Sequence, residues 1–191
     1  MSNPIDTERI QAAVREILLA VGEDPEREGL RNTPQRIAAA YTEIFGGIVE
    51  DPALLLRVGF DEGHDEMVIL RDIPFYSVCE HHLLPFHGVA HVGYIPNGRI
   101  VGISKLARMV DVLARRPQVQ ERFTCQIADT LMVGVEPDGV AVAVEAEHLC
   151  ISMRGARKPG SRMITSAVRG TFASQGVTRA EFLALVHGHS R

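Results

Sequence analysis

His87-Gly-Val-Ala-His-Val-Gly-Tyr-Ile95, running into Pro96-Asn97-Gly98, is the stretch whose reading decides the fold. Its residues alternate with a period of two, and Pro-Asn-Gly is a turn signal, so the segment predicts a strand with a sharp end. Upstream, Met67 to Ile73 is a second β-rich run, closed by Pro74. Downstream, Leu106, Met109, Val110 and Leu113 recur at helical spacing, with Ser104 as the expected cap. Val119, Phe123, Ile127 and Leu131 line a second helix that begins near Pro117. Val140, Val142, Val144 and Ala146 alternate again, and a last strand is expected near Met163 to Val168. The order is strand, strand, helix, helix, strand, strand. Helices segregated against an antiparallel four-stranded sheet make the fold α+β.

In front of this core the chain reads as helical. Ile10, Val14, Ile17, Leu18 and Val21 form one apolar stripe after Asp6 or Thr7 as cap. Thr33-Pro34 predicts a second helix start, Ile37, Ala40, Tyr41, Ile44 and Phe45 its apolar face, and Gly46-Gly47 its stop. A mixed loop is expected from Gly47 to Asp65. Near the end, Thr178-Arg-Ala-Glu181 has the spacing of a capping box before a short helix through Val186. No repeat or linker divides the chain. Residues 1–65 are read as an N-terminal helical segment and 66–191 as the domain carrying the chemistry, together one structural unit.

Composition narrows the class. Hydrophobic residues make up 46% of 191, Trp is absent, and aromatics are 5%, so the core is mostly aliphatic. A net charge of -4 argues against broad nucleic-acid binding. No apolar run has the length of a membrane span. Met1-Ser-Asn-Pro-Ile-Asp6 lacks the basic-then-apolar order of a signal peptide, and no regulatory extension is expected. Three cysteines are few and odd for a disulfide scaffold. The expectation is a reducing cytoplasm, with Cys79 and Cys150 held as thiolates by a metal.

Cys79-Glu80-His81-His82, answered by His148-Leu149-Cys150, is the chemical centre of the sequence. It offers two thiols and at least one imidazole. Structural zinc sites close with four protein ligands, whereas catalytic ones keep three and leave a place for water. Thiolate and imidazole suit zinc, and Cys-x-x-His on a tight turn can reach one ion twice. The bland alternative is a buried free cysteine beside surface histidines, but the clustering favours metal. Cys125 stands alone in a helical pattern and reads as structural. His148 and Cys150, two apart at a strand end, should share a face. His148 is thus placed either as an acid or base or as an orienting group. His64, His87, His91, His187 and His189 have no such neighbours and read as surface or strand residues.

A basic set lies beside these residues. Ser104, Lys105 and Arg108 open one helix, and Arg154, Arg157 and Lys158 follow Cys150. Guanidinium groups and helix N-termini both bind phosphate, so a net-acidic chain with this local charge fits a small anionic substrate. Arg157 and Lys158 read equally well as solvated loop charge. Neither of the Gly-rich phosphate loops occurs. In Gln118-Val-Gln-Glu121, a carboxylate could accept two N–H bonds from a guanine-like edge, although acidic residues are also common at helix starts.

Taken together, Thr33-Pro-Gln-Arg36, Ser77-Val-Cys-Glu-His-His82, Val101-Gly-Ile-Ser-Lys-Leu-Ala-Arg108, Arg116-Pro-Gln-Val-Gln-Glu-Arg122 and Glu147-His-Leu-Cys-Ile-Ser-Met-Arg154 resemble GTP cyclohydrolase I, in family order across nearly all the chain. The resemblance implies the tunnelling fold and conversion of GTP to dihydroneopterin triphosphate and formate. It implies Zn2+ on Cys79, His82 and Cys150, and catalysis by His81 and His148, with Ser104 and Glu121 in the catalytic set. Ser104, Lys105, Arg108 and Arg154 match the family's triphosphate and ribose contacts, Gln120 and Glu121 its guanine side, and Arg36 the arginine that reaches a neighbour's triphosphate. It further implies a homo-oligomer, a toroidal decamer with active sites between subunits. The rival readings are another tunnelling-fold purine or pterin enzyme and a zinc-stabilised nucleotide-binding scaffold.

Overall fold

The computed structural model describes residues 5–188. The readings of Met1–Pro4 and of His189, and that of the His187 side chain, lie outside the described residues. Helix α1 (Thr7–Ala20) is capped by Asp6, whose carboxylate accepts the Arg9 N–H at 3.0 Å and so satisfies a first-turn donor. Helix α2 (Thr33–Ile44) begins one residue earlier than expected: Asn32 is the cap and Pro34 sits in the first turn, where its missing N–H is harmless. The two helices pack on each other, and Val14 of α1 and Ala38 of α2 are buried. The apolar stripe of α1 is only half covered, since Ile17 and Val21 stay 60% and 70% exposed.

The segment expected to be loop is partly ordered. Gly46–Val49 and Pro52–Arg57 form 3-10 turns, and β1 (Gly59–Asp61) follows. The reason is packing: Leu56 is fully buried and lies against Gly134, where a Cβ would come within 2.7 Å of it. Next come β2 (Val68–Cys79), β3 (Pro85–Ile95) and β4 (Arg99–Val101), the last paired antiparallel with β1. Then follow α3 (Ile103–Ala114), β5 (Pro117–Gln118), α4 (Gln120–Val135), β6 (Gly139–His148) and the one-turn α5 (Leu149–Ser152). The chain continues through β7 (Met163–Gly170), the short α6 (Thr171–Ser174) and α7 (Gly176–His187). No described helix is long and apolar enough to cross a membrane.

The main sheet has the order β5-β2-β3-β6-β7. Its four long strands are antiparallel, as the sequence predicts, and β5 adds two residues parallel to the end of β2. Pro74 does not close the first strand. It pairs with Val89, just past a bulge at which Asp72 adopts φ 57°. The second neighbour of β2 reaches only Val78 and Cys79, so Pro74 lies on an edge, where a missing N–H is tolerated. The β6 alternation is buried on both sides. Val140, Val142, Val144 and Ala146 join Phe123, Ile127 and Leu131 in the main core, while Ala141 and Ala143 meet Phe172, Phe182 and Val186.

Three local expectations change. Gly102, not Ser104, caps α3, and Ser104 lies inside its first turn. Val119 caps α4, which starts at Gln120 because Pro117 and Gln118 are drawn into the sheet. Thr178 is inside α7, capped by Gln175, and its hydroxyl bonds Gln175 Oε1 at 3.2 Å.

Gly88 marks the tightest approach between β3 and β6: a Cβ there would lie 1.9 Å from the Glu145 carbonyl oxygen. Because that obstacle is backbone, it cannot swing aside. Gly88→Ala is expected to cost ~3 kcal/mol and to lower the thermal midpoint by about 6–12 °C. An unchanged melting curve by circular dichroism would contradict this packing.

Candidate active site

The β2–β3 turn positions the first two candidate ligands. Cys79 ends β2, and its N–H bonds the Leu84 carbonyl at 2.9 Å, closing the turn. The N–H groups of His82 and Leu83 fold back to the Cys79 carbonyl at 3.3 and 2.8 Å, and Leu83 takes φ 52°. This winding brings two imidazoles to one sulfur, with Nδ1 of His82 at 3.7 Å and Nδ1 of His81 at 3.9 Å from Cys79 Sγ.

Cys150 arrives from β6, the strand on the other side of β3 from β2. It is the second residue of α5, which follows β6 directly, rather than at a strand end, and His148 is the residue at which strand passes into helix. The sulfurs of Cys79 and Cys150 and a ring nitrogen of His82 all lie within 4.8 Å of one another. His81 is not a member of that triangle. Burial pushes the Cys150 thiol above its ordinary value, and the adjacent Cys79 pushes it further. A bound cation would offset that penalty and hold both sulfurs as thiolates, so two sulfurs and one imidazole form a donor set that could hold a metal.

His148 is half-buried. Its ring stacks on Phe86 with centroids 4.6 Å apart and planes within 1°, and its Nε2 lies 2.8 Å from Gln120 Oε1. Burial lowers its pKa, with nearby Glu121 acting in the opposite sense. Gln120, expected at the guanine, is only 1% exposed because α4 starts there and turns it toward the sheet. Glu121, one residue on, is exposed.

The remaining predicted residues are spread around this centre. Ser104 and Arg108 are exposed on the first turns of α3 and Lys105 is half-buried there. Arg108 lines a cavity of about 450 Å³ with Glu43, Glu50, Leu55, Asp111 and Arg115, and none of the three donors lines it. Arg154 is exposed in the loop after α5, and Arg36 is exposed on α2, outside the donor cluster. Cys125 is exposed on α4 rather than part of the core, and it lies outside the donor group, as its isolation in the sequence predicts. His91 is buried in β3, and its Nδ1 accepts the Asp72 N–H at 3.1 Å across the bulge, while His87 stacks on Tyr76.

Two carboxylates that the sequence left without a role support the loops. Glu80 pairs with Arg122, whose Nε donates to Gln118 Oε1 at 3.1 Å, and the Glu80 N–H bonds the Gln118 carbonyl at 3.0 Å. Arg122 holds the Glu80 carboxyl below the usual carboxylate range. Glu147 accepts the Ser152 hydroxyl at 2.7 Å and the Gly160 N–H at 3.3 Å, fastening both ends of the basic loop. Its carboxyl is also lowered, by Ser152 first and by Gly160 next. The spacing of four between Gln118 and Arg122, in a segment that reads from sequence as a helix start, is the one local signal for the first network, although Gln118 itself lies in β5.

Comparison with known proteins follows the same line. A sequence profile of the GTP cyclohydrolase I family matches residues 10–187. The chain belongs to the GTP cyclohydrolase I family. It is 62% identical over 183 residues to GTP cyclohydrolase 1 of Dehalococcoides mccartyi, covering 95% of this chain and 97% of that one. It is 63% identical over 183 residues to GTP cyclohydrolase 1 of Mycolicibacterium vanbaalenii, covering 95% and 91%. Among solved structures, the archaeosine synthase QueF-Like in its apo form aligns with a TM-score of 0.46 and 23% identity, over 55% of this chain and 93% of that chain. A likeness at that level bears on neither substrate nor chemistry. Family membership makes the chain an enzyme, and its sheet-and-helix order is the tunnelling fold.

Protein prepared with zinc in the medium is expected to retain about one metal per chain after dialysis, the stoichiometry of a single three-donor set. Cys150→Ala should lose that metal and Cys125→Ala should keep it, as read by elemental analysis. Retention by Cys150→Ala would remove it from the donor set.

Proposed function

We propose that this chain converts GTP and water to 7,8-dihydroneopterin triphosphate and formate, the opening step of pterin and tetrahydrofolate biosynthesis. The observation that carries the reading is the convergence of Cys79, His82 and Cys150, in a chain of this family, beside a half-buried His148. We assign the metal as Zn2+ on donor type, since two thiolates and an imidazole suit it. Zinc, when bound, supplies a Lewis acid for activating water at neutral pH.

The chain's own groups do the rest. His148 and His81 carry the proton transfers at the imidazole ring of guanine, and burial favours the neutral, proton-accepting form of His148. Glu121, exposed at the start of α4, accepts N–H bonds from the guanine edge. Ser104, Lys105 and Arg108 at the first turns of α3, with Arg154, hold ribose and triphosphate through charge-assisted bonds. Two hydrations at C8 open the five-membered ring and release that carbon as formate. The ribose then opens, rearranges and recloses on the freed amine with loss of one water, so the net consumption is one water.

Assembly belongs to the same proposal. Arg36 stands outside the donor cluster of its own chain, and α1 leaves Ile17 and Val21 uncovered. Both features support a homo-oligomer, a toroidal decamer with active sites shared between subunits, in which Arg36 reaches the triphosphate of a neighbour. Reduced Cys79 and Cys150 fit a cytoplasmic enzyme.

Incubation with GTP is expected to release formate and yield a product that becomes a fluorescent pterin on oxidation. Chelation should stop turnover while far-ultraviolet circular dichroism persists. Unfolding on chelation would favour the scaffold reading, and a folded, metal-loaded protein inert toward GTP would refute the assignment. Arg154→Ala should weaken kcat/KM for GTP by about 10- to 100-fold, the worth of one hydrogen-bonded charge. Chains carrying Arg36→Ala and chains carrying Cys150→Ala should each be inactive alone, yet recover activity when co-expressed. Absence of recovery in mixed oligomers would argue against shared sites.

A further inference from the structure

Gln120 is enclosed, and each end of its amide is engaged. Its Nε2 lies 3.1 Å from the Val144 carbonyl, 2.9 Å from the Met163 carbonyl and 3.2 Å from Thr165 Oγ1. The carbonyls can only accept. The threonine accepts as well. Thr124 gives its hydroxyl proton to the Gln120 carbonyl at 2.7 Å, so in the 2.6 Å contact between the two threonines Thr165 is the donor. Thr165 is then left with lone pairs for Gln120. Turning the amide over would aim its oxygen at two backbone carbonyl oxygens. The amide nitrogen therefore faces β6 and β7, and the amide oxygen faces His148.

That orientation decides where the hydrogen of His148 sits. Gln120 Oε1 is 2.8 Å from His148 Nε2, and an amide oxygen can only accept. Nε2 must therefore be the nitrogen that bears the hydrogen. The other nitrogen, Nδ1, keeps its lone pair and has no hydrogen-bond partner among the described residues. Phe86, stacked on the ring, sets the plane of the imidazole, while the Gln120 bond sets its rotation within that plane.

We infer that Gln120 is a positioning residue: locked by the backbone of β6 and β7, it holds the His148 imidazole as the Nε2–H tautomer, leaves Nδ1 as the nitrogen open to the reaction, and does not itself touch the substrate. The role of Gln120 in turnover rests on the proposed catalytic role of His148, whereas the tautomer does not. A histidine used in catalysis has its tautomer set by whatever its second nitrogen bonds.

The decisive measurement needs no turnover. Zinc-loaded protein labelled with 15N-histidine is studied by solid-state NMR at mildly alkaline pH, with the His148 signal identified by its loss in His148→Asn. The expected result is hydrogen on Nε2, and hydrogen on Nδ1 overturns the inference. A second arm uses Gln120→Met. Its kcat should fall about 10- to 100-fold, with KM for GTP and zinc content unchanged. A raised KM with kcat retained would instead put Gln120 on the substrate and defeat the proposal. The NMR arm uses unaltered protein, so it decides the tautomer even where Gln120→Met fails to accumulate. Failure of the GTP reaction in the wild type would count against the proposed function and leave the tautomer result standing.

Discussion

Phe86 opposite His148, the last rung of the β3–β6 ladder, is the pairing on which the site depends. That ladder starts at Ile95 and Gly139 and holds register over its whole length. A slip of one residue would turn every β6 side chain to the other face of the sheet. Val140, Val142 and Val144 would leave the main core, and His148 would leave Phe86. Both faces of β6 are buried, so a one-residue slip would keep neither core intact. Because β2 turns directly into β3, the same register carries Cys79 and His82 to the end of the sheet where α5 presents Cys150.

The loops at that end are short or exposed, and polar side chains from the scaffold hold them. Glu80 ties the β2–β3 turn to the start of α4 through Arg122 and Gln118. Glu147 fastens the start and the far end of the basic loop. Both carboxyls are held in their charged form by these partners, which makes them fixed acceptors. The division is by charge: these acids are engaged with the scaffold, while Arg108 and Arg154 are exposed, as the proposed binding of a triphosphate requires. A chain with net charge -4 can present a basic mouth in this way.

Most of the fold was legible because it rests on periodicity. The alternation of His87 to Ile95 and Val140 to Ala146, and the helical spacing from Leu106 to Leu113, mark elements that bury one face and so carry a pattern. What escaped were features decided by partners distant in the chain. Pro117 and Gln118 read as a helix start, but pairing with β2 draws them into the sheet and delays α4 to Gln120. Leu56 orders a segment that looks like loop because it fills the space left by Gly134. Thr178 has the spacing of a capping box, yet α7 begins earlier, where α6 ends.

Residue chemistry and spacing alone determined the donor types, the order of elements and the family resemblance, since these depend on identity and local sequence. Spacing left two imidazoles beside Cys79, and the resemblance implied His82; the tertiary structure shows the geometry behind that choice, since His81 and His82 come almost equally near Cys79 and only His82 completes the triangle with Cys150. It alone separated Gln120 from Glu121. Neighbours on a helix point about 100° apart, and the position of the helix start fixed which of the two would face the sheet and which the solvent.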